Sequence, residues 1–378
     1  MYRVWIGKRE SDILTYNDFN CSITFYGSNR NGNFAYSAQQ RTVSSYNELF
    51  TNFVISTLQK IMLKHPSAEI HFYNNTFAYK IIQKYPSIEQ HIVNLNSQKM
   101  LNFLNHKALS RLWLSNYVKS PAFCLLSKFA CSFSNLTKKF GSYTAFVIQK
   151  NVSGGGSGTY ALNKLNEEEI LALLNDDDLY LVSPLYSPNL SVSCHSMIDS
   201  NNIVVLPVSE QVINTENCKL EYMGNRYFSN NLLISKKVHQ EAMIICELLQ
   251  QIGYRGICGF DFIEYNNDVM LIEINPRYQG SSYVLNQVLK EHSLPSLFSL
   301  NSLCFNGGLS NDIISKISSL EINYENRYIK YWSENDLYEA IKIIQNDKVG
   351  RIVFEDGLEH AKQIDKNSYL LRYLFLRI

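Results

Sequence analysis

The residues best suited to chemistry in this 378-residue chain lie in one short stretch. It reads Gly259-Phe260-Asp261-Phe262, a polar turn at Asn266-Asn267-Asp268, then Leu271-Ile272-Glu273-Ile274-Asn275-Pro276-Arg277. Read as two strands joined by a three-residue turn, with Tyr265 facing Val269, it sets Asp261 directly opposite Glu273. Period-two geometry then places Glu273, Asn275 and Arg277 on one face and Met270, Ile272 and Ile274 on the other. Opposed side chains have Cβ atoms roughly 5 Å apart, and like charges there repel. A cation answers that repulsion, and oxygen donors at an open edge suit Mg²⁺, which joins carboxylates to substrate phosphates. Arg277 keeps its charge, and its planar fork matches a phosphate or a phosphoryl group in transfer. A solvated hairpin face, with Arg277 neutralising Glu273, would explain the same pattern in isolation. The flanking residues favour the site: Pro276 ends the strand, and Gly280-Ser281-Ser282 offers unhindered backbone N–H groups at the start of a predicted helix, Tyr283–Lys290.

A second cluster lies upstream, Lys150-Asn151-Val152-Ser153-Gly154-Gly155-Gly156-Ser157-Gly158-Thr159. Glycines let backbone amides approach phosphates without side-chain clash. No Gly-Lys-Ser/Thr opens a helix here, so this is not a Walker A loop. A mobile flap between two strands is the better reading, a plain flexible turn the simpler one.

The elements that must position these residues follow from periodicity. Strands are predicted at Tyr143–Lys150, with Phe146 and Ile148 sharing one face, at Gly158–Asn163 and at Leu179–Ser183, which stops at Pro184. Asn166 caps a helix that opens with Glu167, Glu168 and Glu169. A hairpin is predicted from Leu190–Ile198 and Ile203–Val208. A helix over Ser235–Ile252 aligns Val238, Ala242, Ile245, Leu249 and Ile252, and Gly253 ends it. Upstream, short strands at Tyr2–Ile6, Ser22–Tyr26 and Glu69–Tyr73 accompany helices near Ser45–Lys64 and Ser97–Tyr117, the latter before the break at Ser120-Pro121. No Gly-x-Gly-x-x-Gly follows the first strand, which excludes a nicotinamide-type fingerprint. The tail reads strand–helix–strand, at Tyr328–Trp332, Asp336–Gln345 and Arg351–Phe354.

Composition narrows the function classes. Lys plus Arg number 35 and Asp plus Glu 34, a net charge of +1, with no basic run, so nucleic acid is not expected as a partner. The eight cysteines are scattered without a Cys-x-x-Cys pair, which argues against zinc and against a disulfide framework. Cys258 reads as a small buried residue. His195 and His239 read as structural or exposed. No secretory leader or membrane-spanning run is visible, so a cytoplasmic location is expected.

In order and spacing from about Lys107 to Ser282, the chain resembles the ATP-grasp superfamily, which includes biotin carboxylase, carbamoyl phosphate synthetase and D-alanine–D-alanine ligase. The run Tyr254-Arg255-Gly256, Asp261-Phe262, Ile272 to Arg277 and Gly280-Ser281 is similar to that family's metal-binding hairpin. The resemblance implies an α/β (α+β) fold: an N-terminal α/β domain over 1–105, a small subdomain with a glycine-rich flap over 106–186, and a C-terminal mixed-sheet subdomain with the hairpin and tail over 187–378. It implies that Asp261, Glu273 and Asn275 hold one or two Mg²⁺ (or Mn²⁺), and that Arg277 with Glu273 serves catalysis. ATP would contact Lys107, Lys150, the Gly154–Gly158 flap (Gly154, Gly155, Gly156, Ser157, Gly158) and a hinge at Ser183 and Leu185. Arg277, Gly280, Ser281 and Ser282 would meet the substrate. Two positions depart from the family pattern. Ser183-Pro184 replaces the usual acidic hinge pair, and Asn189 stands near the usual ribose-binding Glu, so base and ribose contacts would rest on backbone and Asn189. The implied reaction activates a carboxylate as an acyl phosphate and joins it to an amine, releasing ADP and phosphate. The small size favours a stand-alone amino-acid or peptide ligase of a natural-product or peptide pathway. Small-molecule carboxylate and amine substrates are the expected partners, with a homodimer as a further association to test and no membrane. Two alternatives stand: loading of an amino acid onto a carrier-protein thiol, and a nucleotide-binding regulatory protein without catalysis. Acceptor recognition is expected from the N-terminal unit, the 209–234 segment and the tail, where Arg226, and elsewhere Arg255, read equally as carboxylate binders or as salt-bridge partners.

Overall fold

The computed structural model describes residues 1–13, 15–26, 32–36, 47–153, 158–187, 190–215, 218–227, 232–320, 322, 325–331, 349–354 and 359–363. The N-terminal run builds a parallel sheet from β1 (Arg3–Arg9), β2 (Cys21–Tyr26), β3 (Phe34–Ala35) and β4 (Glu69–Phe72), in the order β3-β2-β1-β4. Parallel strands need crossovers; α1 (Glu48–Lys64) supplies the one into β4, and α2 (Asn75–Lys84) follows it. Phe50, Val54 and Leu58 of α1 pack on Val4, Ile6 and Ile23, all of them buried. Asn47 caps α1, accepting from the Phe50 N–H at 2.8 Å; the predicted start at Ser45 lies outside the described residues.

Sequence periodicity predicts one helix over Ser97–Tyr117. The structure breaks it at His106 into α3 (Gln98–Asn105) and α4 (Lys107–Leu114), because the His106 ring accepts the Leu109 N–H at 3.3 Å and so caps a second helix. Then comes an antiparallel sheet of β5 (Cys124–Ser127), β6 (Ala145–Lys150), β7 (Thr159–Asn163) and β8 (Leu179–Pro184), ordered β5-β8-β6-β7. It carries α5 (Phe133–Phe140) and α6 (Glu167–Leu173) on one face, over Phe146, Ile148, Leu162 and Val182. Phe146 and Ile148 point into this core together, as alternation requires.

A sheet of nine strands among the described residues follows. It contains β9 (Leu190–Ile198), β10 (Ile203–Val205), β11 (Ser209–Asn214) and β12 (Glu221–Arg226). After α7 (Leu232–Gln251) come β13 (Gly256–Tyr265) and β14 (Asp268–Asn275). The helices α8 (Ser282–Glu291), α9 (Leu297–Asn306) and α10 (Asn311–Ser318) precede the tail strands β15 (Glu325–Tyr331), β16 (Val349–Phe354) and β17 (Glu359–Gln363). The order is β14-β13-β9-β11-β12-β15-β16-β17, with β10 on β9. Val238, Ala242, Ile245 and Leu249 of α7 are buried on β9 and β13, together with Leu101, Leu104 and Leu114. Ile252 departs from that stripe and is 42% exposed, because the helix ends and Gly253 turns the chain at φ +88°. The predicted tail helix Asp336–Gln345 lies outside the described residues. No helix among the described residues is long and apolar enough to cross a membrane.

Candidate active site

The β13–β14 hairpin sets Asp261 opposite Glu273, as the sequence suggests, by a different route. The turn has two residues, Asn266 and Asn267, both in the left-handed region at φ 54° and 62°, and Tyr265 pairs with Asp268. That register would bring Asp261 opposite Ile272. A β-bulge between Asp261 and Phe262 absorbs one residue, Ile272, and restores the opposition with Glu273. The bulge also corrects the predicted faces: Val269, Leu271 and Ile274 enter the core, while Ile272 joins Glu273 on the cavity wall.

Around the two carboxylates the polar groups are densely interlocked. Asp261 accepts from the side-chain amides of Gln211 at 2.9 Å, Asn275 at 2.8 Å and Gln279 at 3.3 Å. The Asn275 amide also donates to Glu273 at 3.2 Å, so it bridges the pair, and its oxygen accepts from Arg277 at 2.9 Å. Gln279 reaches Asp261 only because residue 259 is glycine; a Cβ there would lie 2.2 Å from the Gln279 side chain. Lys107, at the first turn of α4, places Nζ 3.0 Å from Glu273, with exposures of only 5% and 15% for the two side chains. The same ammonium donates to the carbonyl of Ser153 at 2.9 Å and to its hydroxyl at 3.2 Å. Asn151 completes the tie, accepting from the N–H groups of Lys107 and Ala108 at 3.1 and 3.0 Å. The stalk of the glycine-rich loop is thus fastened to the carboxylate site.

The charges divide accordingly. Burial and the neighbouring Glu273 carboxylate push the Asp261 carboxyl well above its ordinary range. Burial opposes the charge on Glu273 as well, but Lys107, the hydrogen bond from Asp261 and Arg277 outweigh it and bring Glu273 down to about 2. Of the two carboxyls, Asp261 is therefore the one that holds a proton more readily. Arg111, one turn beyond Lys107, is buried; desolvation lowers its guanidinium to about 10 despite the nearby Glu273. His195 is structural, as read from the sequence. It is buried against Ser282 at 3.0 Å, and desolvation reinforced by Arg277 lowers it to about 3, so it stays neutral. His239 is exposed and Cys258 buried.

A cavity of about 610 Å³ opens between the β5–β8 sheet and the nine-stranded sheet. Asp261, Glu273, Asn275, Arg277, Gly280 and Ser281 line its polar end, and Val147, Ala161, Pro184, Leu185 and Ile263 line the apolar end. Lys150, Gly158 and Ser282 fall elsewhere. Strand alternation puts Gln149, not Lys150, on the cavity side; Lys150 faces out, with Nζ 3.6 Å from Asp178. Ser183 and Leu185 line the cavity, but the Leu185 N–H is spent on the Ala145 carbonyl at 3.0 Å. Ser282 is buried behind the wall, its hydroxyl accepting the Gln279 N–H at 3.0 Å while it meets His195. Gly158 closes the β6–β7 turn at φ +71°, its carbonyl accepting the Lys150 N–H at 3.2 Å. Gly154, Gly155, Gly156, Ser157 and Asn189 lie outside the described residues. Arg255 braces the end of α7, donating to the Tyr254 carbonyl at 2.7 Å, and does not line the cavity.

A third wall comes from β9, β11 and β12; sequence reasoning pointed to the 209–234 segment but named none of the residues that line the cavity there. Buried Asn225 donates to Ser193 at 3.0 Å and Ser209 at 2.8 Å and accepts from Tyr222; Gln211 and Ile213 stand beside it. Buried polar residues on alternating strand positions were the available signal, and the 209–234 segment carries no motif. None of the N-terminal sheet's described residues lines the cavity.

The donor set fits a hard divalent cation: two carboxylates and the amides of Asn275, Gln211 and Gln279, with oxygen as the only strong anionic donor. Among the described residues no group of three or more His, Cys, Asp or Glu gathers, so a zinc-type set is not present there. Asn275 would have to turn its amide oxygen inward to serve as a ligand, since its nitrogen now faces the carboxylates.

Comparisons with known proteins bear on the fold. Residues 105–281 match the family model of the ATP-grasp domain. The fold is similar to the N5-carboxyaminoimidazole synthetase of Staphylococcus aureus complexed with ADP, at TM-score 0.62 and 14% identity over 99% of this chain and 96% of that one. It is also similar to biotin carboxylase of Campylobacter jejuni in a β,γ-ATP complex, at TM-score 0.58 and 15% identity over 85% and 74% of the two chains. The L-amino acid ligase of Bacillus licheniformis matches at TM-score 0.56 and 12% identity over 83% and 76%. No curated protein sequence matches.

Proposed function

The chain carries an ATP-grasp domain, and from that premise we propose that it is an ADP-forming ligase that activates a carboxylate as an acyl phosphate and joins it to an amine. The observation that carries the reading is the Asp261–Glu273 pair, opposed across a bulged hairpin, tied to Lys107 and open to a 610 Å³ cavity. Asp261, Glu273 and, with its amide turned, Asn275 would hold Mg²⁺. Bound there, the ion would neutralise the phosphate oxygens of ATP. The boundaries near residues 105 and 186 belong to the same reading.

This chain's own residues do the rest. The apolar end beneath Pro184 and Leu185 takes the base, with Gln149 as a neutral hydrogen-bonding group facing the cavity. Phosphates lie toward the polar end, where Lys107 and Arg277 supply positive charge. Carboxylates resist amines because oxide is a poor leaving group. Attack of the substrate carboxylate on the γ-phosphorus breaks the bond to ADP and gives an acyl phosphate, whose carbon the amine then attacks, expelling phosphate. Arg277, held by Asn275 and by the Tyr278 carbonyl at 3.0 Å, faces the charge that develops in both steps. The backbone at Gly280 and Ser281, where α8 begins, faces the same space. Asn151 and Ser153 hold the loop stalk close to Lys107, which favours exclusion of water from the acyl phosphate. Amino acids or short peptides are the substrates we infer. They suit a cavity of this size, and the structurally similar L-amino acid ligase shares the architecture.

The test is release of ADP and phosphate from ATP and Mg²⁺ against pooled amino acids, peptides and carrier proteins. Substrate-dependent ADP supports the ligase. AMP and pyrophosphate would exclude the acyl phosphate, and tight ATP binding without turnover on any pool would favour a regulatory protein.

A further inference from the structure

Helix α4 buries two cations. Its inward face carries Lys107 and Arg111, one turn apart, beside the buried Ala108 and Leu114, while Leu109 and Leu112 are 43% and 64% exposed. Leu114 and Ala108 set the helix on the core, but apolar burial alone does not call for two cations on that face. Lys107 meets Glu273. Arg111 meets the strand itself: its Nε donates to the carbonyl of Ile272 at 2.7 Å, and the Phe123 ring covers its guanidinium carbon at 5.7 Å.

Ile272 is the residue the bulge absorbs. Without that bulge the two-residue turn would set Asp261 against Ile272, and the carboxylates would fall out of opposition. The anchor is held at a cost, because Nη1 and Nη2 of Arg111 are buried with no hydrogen-bond partner among the described residues. We propose that Arg111 is a positioning residue, which pins the Ile272 carbonyl, and through it the bulge that opposes Asp261 to Glu273, while holding a fixed positive charge behind the pair. This rests on the reading of that pair as a metal–nucleotide site.

The experiment titrates Mn²⁺ into wild type, Arg111→Met and Arg111→Lys in the presence of ATP, with ATP binding also measured in chelator and thermal unfolding recorded for each. Loss of groups that orient metal ligands typically weakens metal binding 10- to 100-fold, so Arg111→Met should bind Mn²⁺ about tenfold more weakly or worse. ATP binding in chelator should stay within about twofold, and Arg111→Lys, which keeps the charge and one donor, should recover much of the Mn²⁺ loss. Wild-type Mn²⁺ affinity in Arg111→Met overturns the proposal and leaves the site reading intact. Equal losses with and without metal also overturn it, since they mark a purely structural role. Wild type that binds no Mn²⁺–ATP overturns the site reading and the proposal together. If Arg111→Met does not fold, Arg111→Gln replaces it, and wild-type Mn²⁺ affinity there overturns the proposal.

Discussion

Two of the cavity's walls are built on opposite plans. On the hairpin wall, Asp261, Glu273, Asn275 and Arg277 are locked to one another and to Lys107, Gln211 and Gln279. On the β6–β8 wall, the cavity meets Val147, Gln149, Thr159, Ala161 and the 183–187 turn, none of them charged. The one lysine at the end of β6 points away, toward Asp178. Charge is thus concentrated on a rigid, pre-organised surface, and the facing surface offers shape and neutral hydrogen bonding. That asymmetry suits a ligand with a charged tail and a flat, neutral head.

Substitutions on the charged wall should be severe and those on the neutral wall mild. Glu273→Ala should lower ADP-forming turnover on the order of 10³-fold or more, because charge neutralisation by a bound cation is worth several kcal/mol. Arg277→Met should lower kcat by roughly 10²-fold with little change in the KM for ATP, the pattern of a group that acts in the transition state. Lys107→Met would leave the buried Glu273 carboxylate without its ammonium and should cost about 3 kcal/mol of unfolding free energy, read by denaturant titration. A stable Lys107→Met variant would show that the ion pair is not what holds α4 on the hairpin.

The pH response separates the walls again. Burial and the Glu273 carboxylate raise Asp261 above its unfolded value, so its contribution to stability is full below the unfolded value and falls as pH rises through the folded value. Glu273, lowered to about 2, contributes above its ordinary range and loses that contribution as pH falls through the folded value. Cation binding needs both groups ionised. Mg²⁺ should therefore bind more tightly as pH rises, by up to about tenfold per unit while one proton is displaced. Isothermal titration in two buffers of different ionisation enthalpy would count that proton. On the neutral wall, Gln149→Ala should weaken ATP by about 3- to 10-fold, the worth of one neutral hydrogen bond. Lys150→Ala should leave it within about twofold, as for an exposed ion pair. A larger effect at Lys150 than at Gln149 would reverse the assignment of the strand's two faces.

What the sequence revealed and what it hid follow the same division. Asp261 and Glu273 were legible because alternation and a polar turn place residues across a hairpin, yet the opposition came from two deviations that cancel, a shorter turn and a bulge. Bulges leave little trace in sequence, and Ile272, the residue absorbed, reads as ordinary core. Lys150 was misplaced by a single position: the same alternation that buries Phe146 and Ile148 carries Lys150 to their face and Gln149 to the cavity. The helical period predicted a continuous 97–117 helix, and a cap by the His106 ring ended it early. Arg111 was hidden because a cation on a helix reads as a solvated face. Asn225, Gln211 and Tyr222 were hidden because long-range strand pairing, not a local motif, brings β11 and β12 to the site.

The most direct test of the account is ATP binding to wild type and Glu273→Gln, each with Mg²⁺ and with chelator. The account predicts that Mg²⁺ tightens ATP binding to wild type, and that Glu273→Gln keeps the affinity measured in chelator while losing the Mg²⁺ enhancement. Equal Mg²⁺ enhancement in both proteins, or none in wild type, would contradict the assignment of the opposed carboxylates to a metal–nucleotide site.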